Sequence, residues 1–291
     1  MSGLGALLTA IVTPFSASAK AKSGKPALDE EAFVALHQHV IGLGAHGVVA
    51  CGTTGEASTL DDDEHLRVIE LAVQHKPAGS TVVAGVGSND TWHAVHLTER
   101  ATELGADALL SVTPYYNRPN RRGIVAHYRE VARATDKPIL LYNHPGRTGV
   151  DLSNDLLAEL AQIDGIDGVK QTNDDNLALI DGLVLYTGND ETFGRTLELG
   201  GVGGISFASH VAGAAMRRMV DEPEERARID ASLAPLFAAL AVAPACTTAK
   251  AALVAVGRLA SDAQRLPMIE VDDHERAIVR DGLVAAGLLD A

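Results

Sequence analysis

Asp164-Gly-Ile-Asp-Gly-Val-Lys-Gln-Thr-Asn173 reads as a short apolar strand, Ile166 to Val169, that ends on a lysine. Strands more often close on Gly, Asn or Asp, and lysine is a poor core residue. The stem of Lys170 would pack among apolar neighbours, with its ammonium at the mouth of a sheet. Desolvation there disfavours the charged form and frees the amine as a nucleophile. The chemistry natural to such an amine is a Schiff base with a carbonyl substrate. The plainer reading is a lysine that snorkels at a strand end. The stretch alone leaves both open, and the rest of the chain chooses between them.

Working outward, the lysine strand is one of a series. Short apolar runs at 7–12, 47–51, 81–85, 108–112, 139–142, 166–169, 183–186 and 204–207 alternate with runs of helical period. Asp29 is placed to cap a helix with Phe33, Leu36 and Val40 on one face. Further helices are expected at about 61–74, 91–104, 123–134, 154–162 and 191–199, with a short one around 176–179. A polar loop is expected over 16–27. The strands are apolar without alternation, which fits a parallel sheet buried on both faces. Eight strand–helix units in roughly 220 residues have the size of a (β/α)8 (TIM) barrel. A doubly wound open sheet would need a phosphate-binding glycine turn, and neither GxGxxG nor GxxxxGK[ST] is present. The expected fold is therefore α/β: a (β/α)8 catalytic barrel over residues 1–222, with a C-terminal helical appendage over 223–291 packed on it.

The composition agrees. The chain has 291 residues, 46% apolar and 21% charged, enough for a sizeable core. No apolar run has the length of a membrane span, and the apolar N-terminus lacks the basic start of a signal peptide. Cys51 and Cys246 have neither disulfide-framework nor zinc-site spacing, so the cytoplasm is the expected compartment. A net charge of −14 disfavours nucleic acid and anionic membrane as partners. The eleven histidines are scattered, mostly along helices, and read as surface residues rather than metal ligands.

In a (β/α)8 barrel the active site lies at the C-terminal ends of the strands. The unusual residues of this chain fall there: Thr53 and Thr54, Tyr115 and Tyr116, Tyr142 with Arg147 in its loop, Lys170, Gly188-Asn-Asp190, and Ile205-Ser206. Each alone has a structural explanation. Together on one rim they supply an amine nucleophile, phenols and hydroxyls that relay protons, and a fixed cation for a carboxylate.

The motifs Gly52-Thr-Thr-Gly-Glu56, Val112-Thr-Pro-Tyr-Tyr-Asn-Arg-Pro119, Leu141-Tyr-Asn-His-Pro-Gly-Arg-Thr-Gly149 and Gly168-Val-Lys170 carry a resemblance over nearly the whole chain. The sequence resembles the superfamily of pyruvate-dependent class I aldolases that contains the dihydrodipicolinate synthases and the N-acetylneuraminate lyases. It is more similar to the synthase branch. That resemblance implies condensation of pyruvate with L-aspartate 4-semialdehyde in lysine and diaminopimelate biosynthesis. The alternative within the superfamily is an aldolase or dehydratase acting on a 2-keto-3-deoxy sugar acid. By the same resemblance Lys170 forms the imine and Tyr142 passes protons over it. Thr53 links Tyr142 to Tyr116, which reaches in from a neighbouring subunit. Thr54 holds the pyruvate carboxylate, Arg147 binds the carboxylate of the aldehyde, and Gly188 and Ile205 offer carbonyls near the imine. No metal and no cofactor beyond the covalent imine are implied. The implied assembly is a homodimer, or a homotetramer built as a dimer of dimers.

Three departures stand out. Gln171 follows the lysine where the synthases commonly have Glu, Thr172-Asn-Asp174 replaces Ala-Ser/Thr-Gly, and His144 precedes Pro145 in place of a small apolar residue. These positions are expected on the substrate side of the rim, where they bear on the choice of aldehyde.

Overall fold

The computed structural model describes residues 3–21 and 23–290. Ten strands are present among them: β1 (Leu7–Ala10), β2 (Phe15–Lys20), β3 (Pro26–Leu28), β4 (Gly47–Ala50), β5 (Thr81–Gly85), β6 (Ala108–Val112), β7 (Ile139–Asn143), β8 (Ile166–Gln171), β9 (Val184–Thr187) and β10 (Gly203–Ser206). Eight of them close a parallel barrel in the order β1-β10-β9-β8-β7-β6-β5-β4, with β1 paired to β4 to complete the ring. The expected (β/α)8 architecture is the observed one.

The missing hydrophobic alternation has a direct cause. Along each barrel strand one set of side chains fills the interior and the other meets the helices, and both are buried. Leu8, Val49, Val83, Leu110, Leu140, Tyr142, Tyr186 and Ile205 form the interior cluster. Their strand neighbours Leu7, Val48, Val82, Leu109, Leu141 and Val169 belong to the larger cluster under the helices. Apolar residues are needed on both sides, so the period of two vanishes from the sequence.

Helix starts follow the capping chemistry. The Asp29 carboxylate accepts from the Ala32 N–H, and Phe33, Leu36 and Val40 are buried on the helix Glu30–Gly42. Asp61 and Glu64 form a reciprocal capping box at the start of the helix Asp62–Gln74. After β10 come the helices Ser209–Asp221, Arg226–Leu240, Ala245–Ala255 and Asp273–Ala285, which pack against one another.

Three expectations are corrected. The loop expected over 16–27 is an antiparallel ribbon of β2 and β3, pairing Phe15 with Leu28 and Lys20 with Pro26. Its exposed, alanine- and serine-rich strand carries no apolar signal beyond Phe15, which is buried. The short helix expected around 176–179 is a 3-10 turn, Asp174–Asn176. There Asn173 Oδ1 accepts from the Asp175 N–H, and Asp151 accepts from the side chains of Asn173 and Asn176. Such side-chain bonds compete with helical ones, so β8 is followed by no α-helix. Finally, His37, His65, His127 and His210 are buried, not at the surface. His210 shows why: its Nε2 accepts from the Val12 N–H and its Nδ1 donates to the Phe207 carbonyl. Burial holds it neutral, at about 4.

Candidate active site

Strand register builds the site. β8 pairs with β7 so that Lys170 lies opposite Tyr142, and with β9 so that it lies opposite Tyr186. In a parallel sheet, residues in register share a face. Val169 faces the helices, so Lys170 faces the barrel interior between two tyrosines. Lys170 is only 6% exposed, and its ammonium stands 4.4 Å from the centroid of the Tyr142 ring. The stem of the lysine is thus buried among apolar neighbours, with an aromatic face beside its terminal nitrogen. Tyr186 donates to the Gly5 carbonyl at 2.9 Å, and burial pushes its phenol up to about 12, so it is a structural donor under the site.

Gly188 has a sharper role than its carbonyl alone suggests. A Cβ there would come within 2.7 Å of Lys170 Cε and 2.5 Å of Thr172 Cγ2. The bare backbone is what lets the lysine stem pass along β9. Thr53 and Thr54 sit in the turn after β4, bracketed by left-handed residues Cys51 (φ 55°) and Glu56 (φ 54°). Left-handed backbone is costly for residues other than glycine, and buried contacts hold this turn. Thr13 Oγ1 donates to the Gly55 carbonyl at 2.7 Å, and the Glu56 carboxylate accepts from Lys250 Nζ at 2.5 Å.

These elements surround a cavity of about 160 Å³. Seven expected site residues line it: Thr53, Thr54, Tyr142, Arg147, Lys170, Gly188 and Ile205. The eighth, Tyr116, does not. It is 89% exposed, in a left-handed conformation at φ 71°, in the loop after β6. Its neighbour Tyr115 lines a second cavity of about 520 Å³, which shares Thr53, Tyr142, His144 and Arg147 with the first. There His93 Nε2 lies 3.1 Å from Asp62. Among the described residues no group of three or more His, Cys, Asp or Glu is placed to hold a metal ion.

A sequence profile described as the Dihydrodipicolinate synthetase family matches residues 3–286. The chain belongs to this family. It is 40% identical to a 4-hydroxy-tetrahydrodipicolinate synthase of Rhodospirillum centenum, over 97% of this chain and 98% of the relative. A dihydrodipicolinate synthase from Cyanidioschyzon merolae, solved with lysine bound, superposes with a TM-score of 0.91 at 34% identity, covering 98% of this chain and 99% of the other. A chloride-inhibited one from Acinetobacter baumannii, solved with pyruvate, gives 0.90 at 34% identity, covering 98% and 100%. The synthase-like motifs were therefore a sound guide.

The three departures divide by where the fold places them. Gln171 is corrected: it is not on the substrate side. One residue beyond Lys170, it points out of the barrel and is 1% exposed. Its Oε1 accepts from Asn143 Nδ2 and the Asn173 N–H, both at 2.9 Å. Thr172 does line the cavity, and its hydroxyl donates to the Asn143 carbonyl. His144 lines both cavities. Asn189, expected on the rim, lines the first cavity as well, whereas sequence reasoning passed over Glu56, Phe207, Cys246 and Met268 as its walls. Cys246 and Met268 come from the C-terminal region, which the barrel rhythm gives no reason to bring to the strand ends.

Proposed function

We propose that this chain condenses pyruvate with L-aspartate 4-semialdehyde to 4-hydroxy-tetrahydrodipicolinate, the lyase step of lysine and diaminopimelate biosynthesis, through an imine at Lys170. The observation that carries the reading is the buried Lys170 amine over Tyr142, in a cavity that also holds Arg147. The amine adds to the pyruvate ketone and water leaves. The resulting iminium withdraws electrons, so the methyl group loses a proton and the enamine carbon attacks the aldehyde; the amino group of the semialdehyde then adds to the imine carbon, closes the ring and displaces the Lys170 amine. The iminium is itself the electron sink, so no metal or other cofactor is called for. Tyr142 moves protons at the imine, Thr54 holds the pyruvate carboxylate, and the Gly188 and Ile205 backbone orients the adduct. Of the departures that bear on the choice of aldehyde, Gln171 is turned away from the cavity, while Thr172 and His144 line it. Among the described residues no single helix is long and apolar enough to cross a membrane. Both cysteines are free thiols, and we place the enzyme in the cytoplasm.

A turnover assay with pyruvate and aspartate semialdehyde, beside a panel of 2-keto-3-deoxy sugar acids, tests the reading. Turnover of a sugar acid in preference to the semialdehyde would overturn it. Arg147→Ala is expected to raise the KM for the aldehyde by about 30- to 150-fold, the value of a charge-assisted carboxylate contact of about 2–3 kcal/mol. It should still form the pyruvate imine. Equal loss of both half-reactions would mean that Arg147 does not select the second substrate.

Tyr116 completes the proton relay in this reading, and its exposure in the single chain motivates a homodimer or dimer of dimers in which it enters the neighbouring cavity. Mixing Tyr116→Phe with Lys170→Ala after dissociation should then restore activity in hybrid dimers, up to about a quarter of the wild-type level. Confirmed hybrids without activity would exclude a shared site.

A further inference from the structure

We propose that His144 is a positioning residue for the second substrate: its neutral imidazole anchors the Arg147 guanidinium through Nε and leaves the terminal amino groups free to grip a carboxylate end-on. This rests on the assignment of Arg147 above and adds the element that aims it.

The backbone fixes the imidazole first. His144 joins β7 to a single helical turn, Pro145–Thr148. Its carbonyl accepts from the Arg147 and Thr148 N–H groups at 2.9 and 3.0 Å and from the Thr148 hydroxyl at 3.1 Å. Gly149 closes the turn at φ 71°, and its carbonyl accepts from Arg118 Nε at 3.0 Å. The ring itself stands edge-on to Tyr142, with centroids 5.9 Å apart at 74°. His144 is therefore wedged between the ring that covers Lys170 and the arginine.

The contact between the two side chains has only one consistent proton arrangement. Arg147 Nε lies 3.2 Å from His144 Nε2. A guanidinium nitrogen can only donate, so Nε2 supplies the lone pair and the ring proton sits on Nδ1. Protonation of the ring would break this bond and set two cations against each other. Burial first, then the Arg147 and Lys170 charges, push the imidazole down to about 4, which keeps the acceptor available at neutral pH. No other hydrogen bond to the Arg147 side chain occurs among the described residues. Nη1 and Nη2 thus remain for a ligand, and a planar carboxylate fits that pair of parallel donors. A flexible arginine loses side-chain entropy when it binds, and an anchor at Nε removes part of that loss in advance.

The test measures the KM for aspartate semialdehyde at saturating pyruvate, with borohydride trapping of the pyruvate imine and thermal unfolding followed in parallel. His144→Val removes the acceptor and should raise that KM about three- to tenfold, the range of one net hydrogen bond, with imine trapping unchanged within about twofold. His144→Gln places an amide oxygen near the Nε2 position and should bring the KM back to within about twofold of wild type. On an Arg147→Ala background, His144→Val should add nothing. An unchanged KM in His144→Val, or an equal rise with and without Arg147, would overturn the proposal while leaving the assignment of Arg147 intact. An unchanged KM in Arg147→Ala would overturn both.

Discussion

Lys170→Ala is expected to yield no pyruvate adduct after borohydride reduction and to lose turnover by about four orders of magnitude or more, since the group that bonds to substrate is gone. Lys170→Arg sharpens the result. It keeps a cation beside Tyr142 but cannot form the imine, so it should be as inactive as the alanine variant. Wild-type protein treated with pyruvate and borohydride should carry one three-carbon adduct, which peptide mass spectrometry assigns to Lys170. The chain has a built-in control in Lys250, which is even less exposed. Its ammonium is engaged by the Glu56 carboxylate at 2.5 Å and the Ala263 carbonyl at 2.9 Å. Among the described residues the Lys170 amine has no hydrogen-bond or salt-bridge partner, and the centroid of the Tyr142 ring lies 4.4 Å away. Burial is common to both, so the expected difference in reactivity is assigned to the partner. An adduct on Lys250, or unchanged labelling in Lys170→Ala, would sink the mechanism.

Why Lys170 was legible from the sequence and Lys250 was not follows from the physics of each. Lys170 interrupts an apolar run in a chain whose strand–helix rhythm already marks the strand ends as the functional rim. Its partners Tyr142 and Gly188 terminate neighbouring runs, so local pattern and fold point to the same place. Lys250 lies in the helix Ala245–Ala255, where nearly every residue is buried and no polar face marks an inside or an outside. Its partner Glu56 is 194 positions away and belongs to a loop. Nothing local links them. Gln171 is a different case. The alternation of a strand puts successive residues on opposite faces. An inward Lys170 therefore fixes an outward Gln171 from the sequence alone. His144 could be placed on the rim but not paired with Arg147, because one helical turn brings the two together only once Pro145 starts it.

The Lys250 contact leads to the second large expected effect. Glu56 ends the turn that carries Thr53 and Thr54, in a left-handed conformation and 3% exposed. Its carboxylate takes Lys250 Nζ and, at 3.3 Å, the Arg265 N–H. Arg265 in turn reaches Glu64 Oε1 at 2.8 Å and the Pro26 carbonyl at 2.6 Å, and Phe15 packs under both cations at 4.3 and 4.1 Å. Burial would raise the Glu64 carboxyl, but Arg265 and Lys25 hold it at about 2. The C-terminal helices, the β2–β3 ribbon and the Thr53–Thr54 turn are thus joined by buried charges. Lys250→Met leaves the Glu56 carboxylate buried without its cation, and removal of one partner of a buried pair costs about 3–5 kcal/mol. For a chain of this size that lowers the melting temperature by roughly 5–15 °C. The loss should be largely a stranded-charge effect, so adding Glu56→Gln should recover at least about half of it, a non-additivity expected of residues in contact. Because the strained turn holds Thr53 and Thr54, the single variant should also trap the pyruvate imine more slowly at temperatures where it is fully folded. Thermal unfolding of the two single variants and the double variant decides the point. Additive losses would show that Lys250 matters through the packing of its stem, and that the barrel holds the Thr53–Thr54 turn without help from the C-terminal helices.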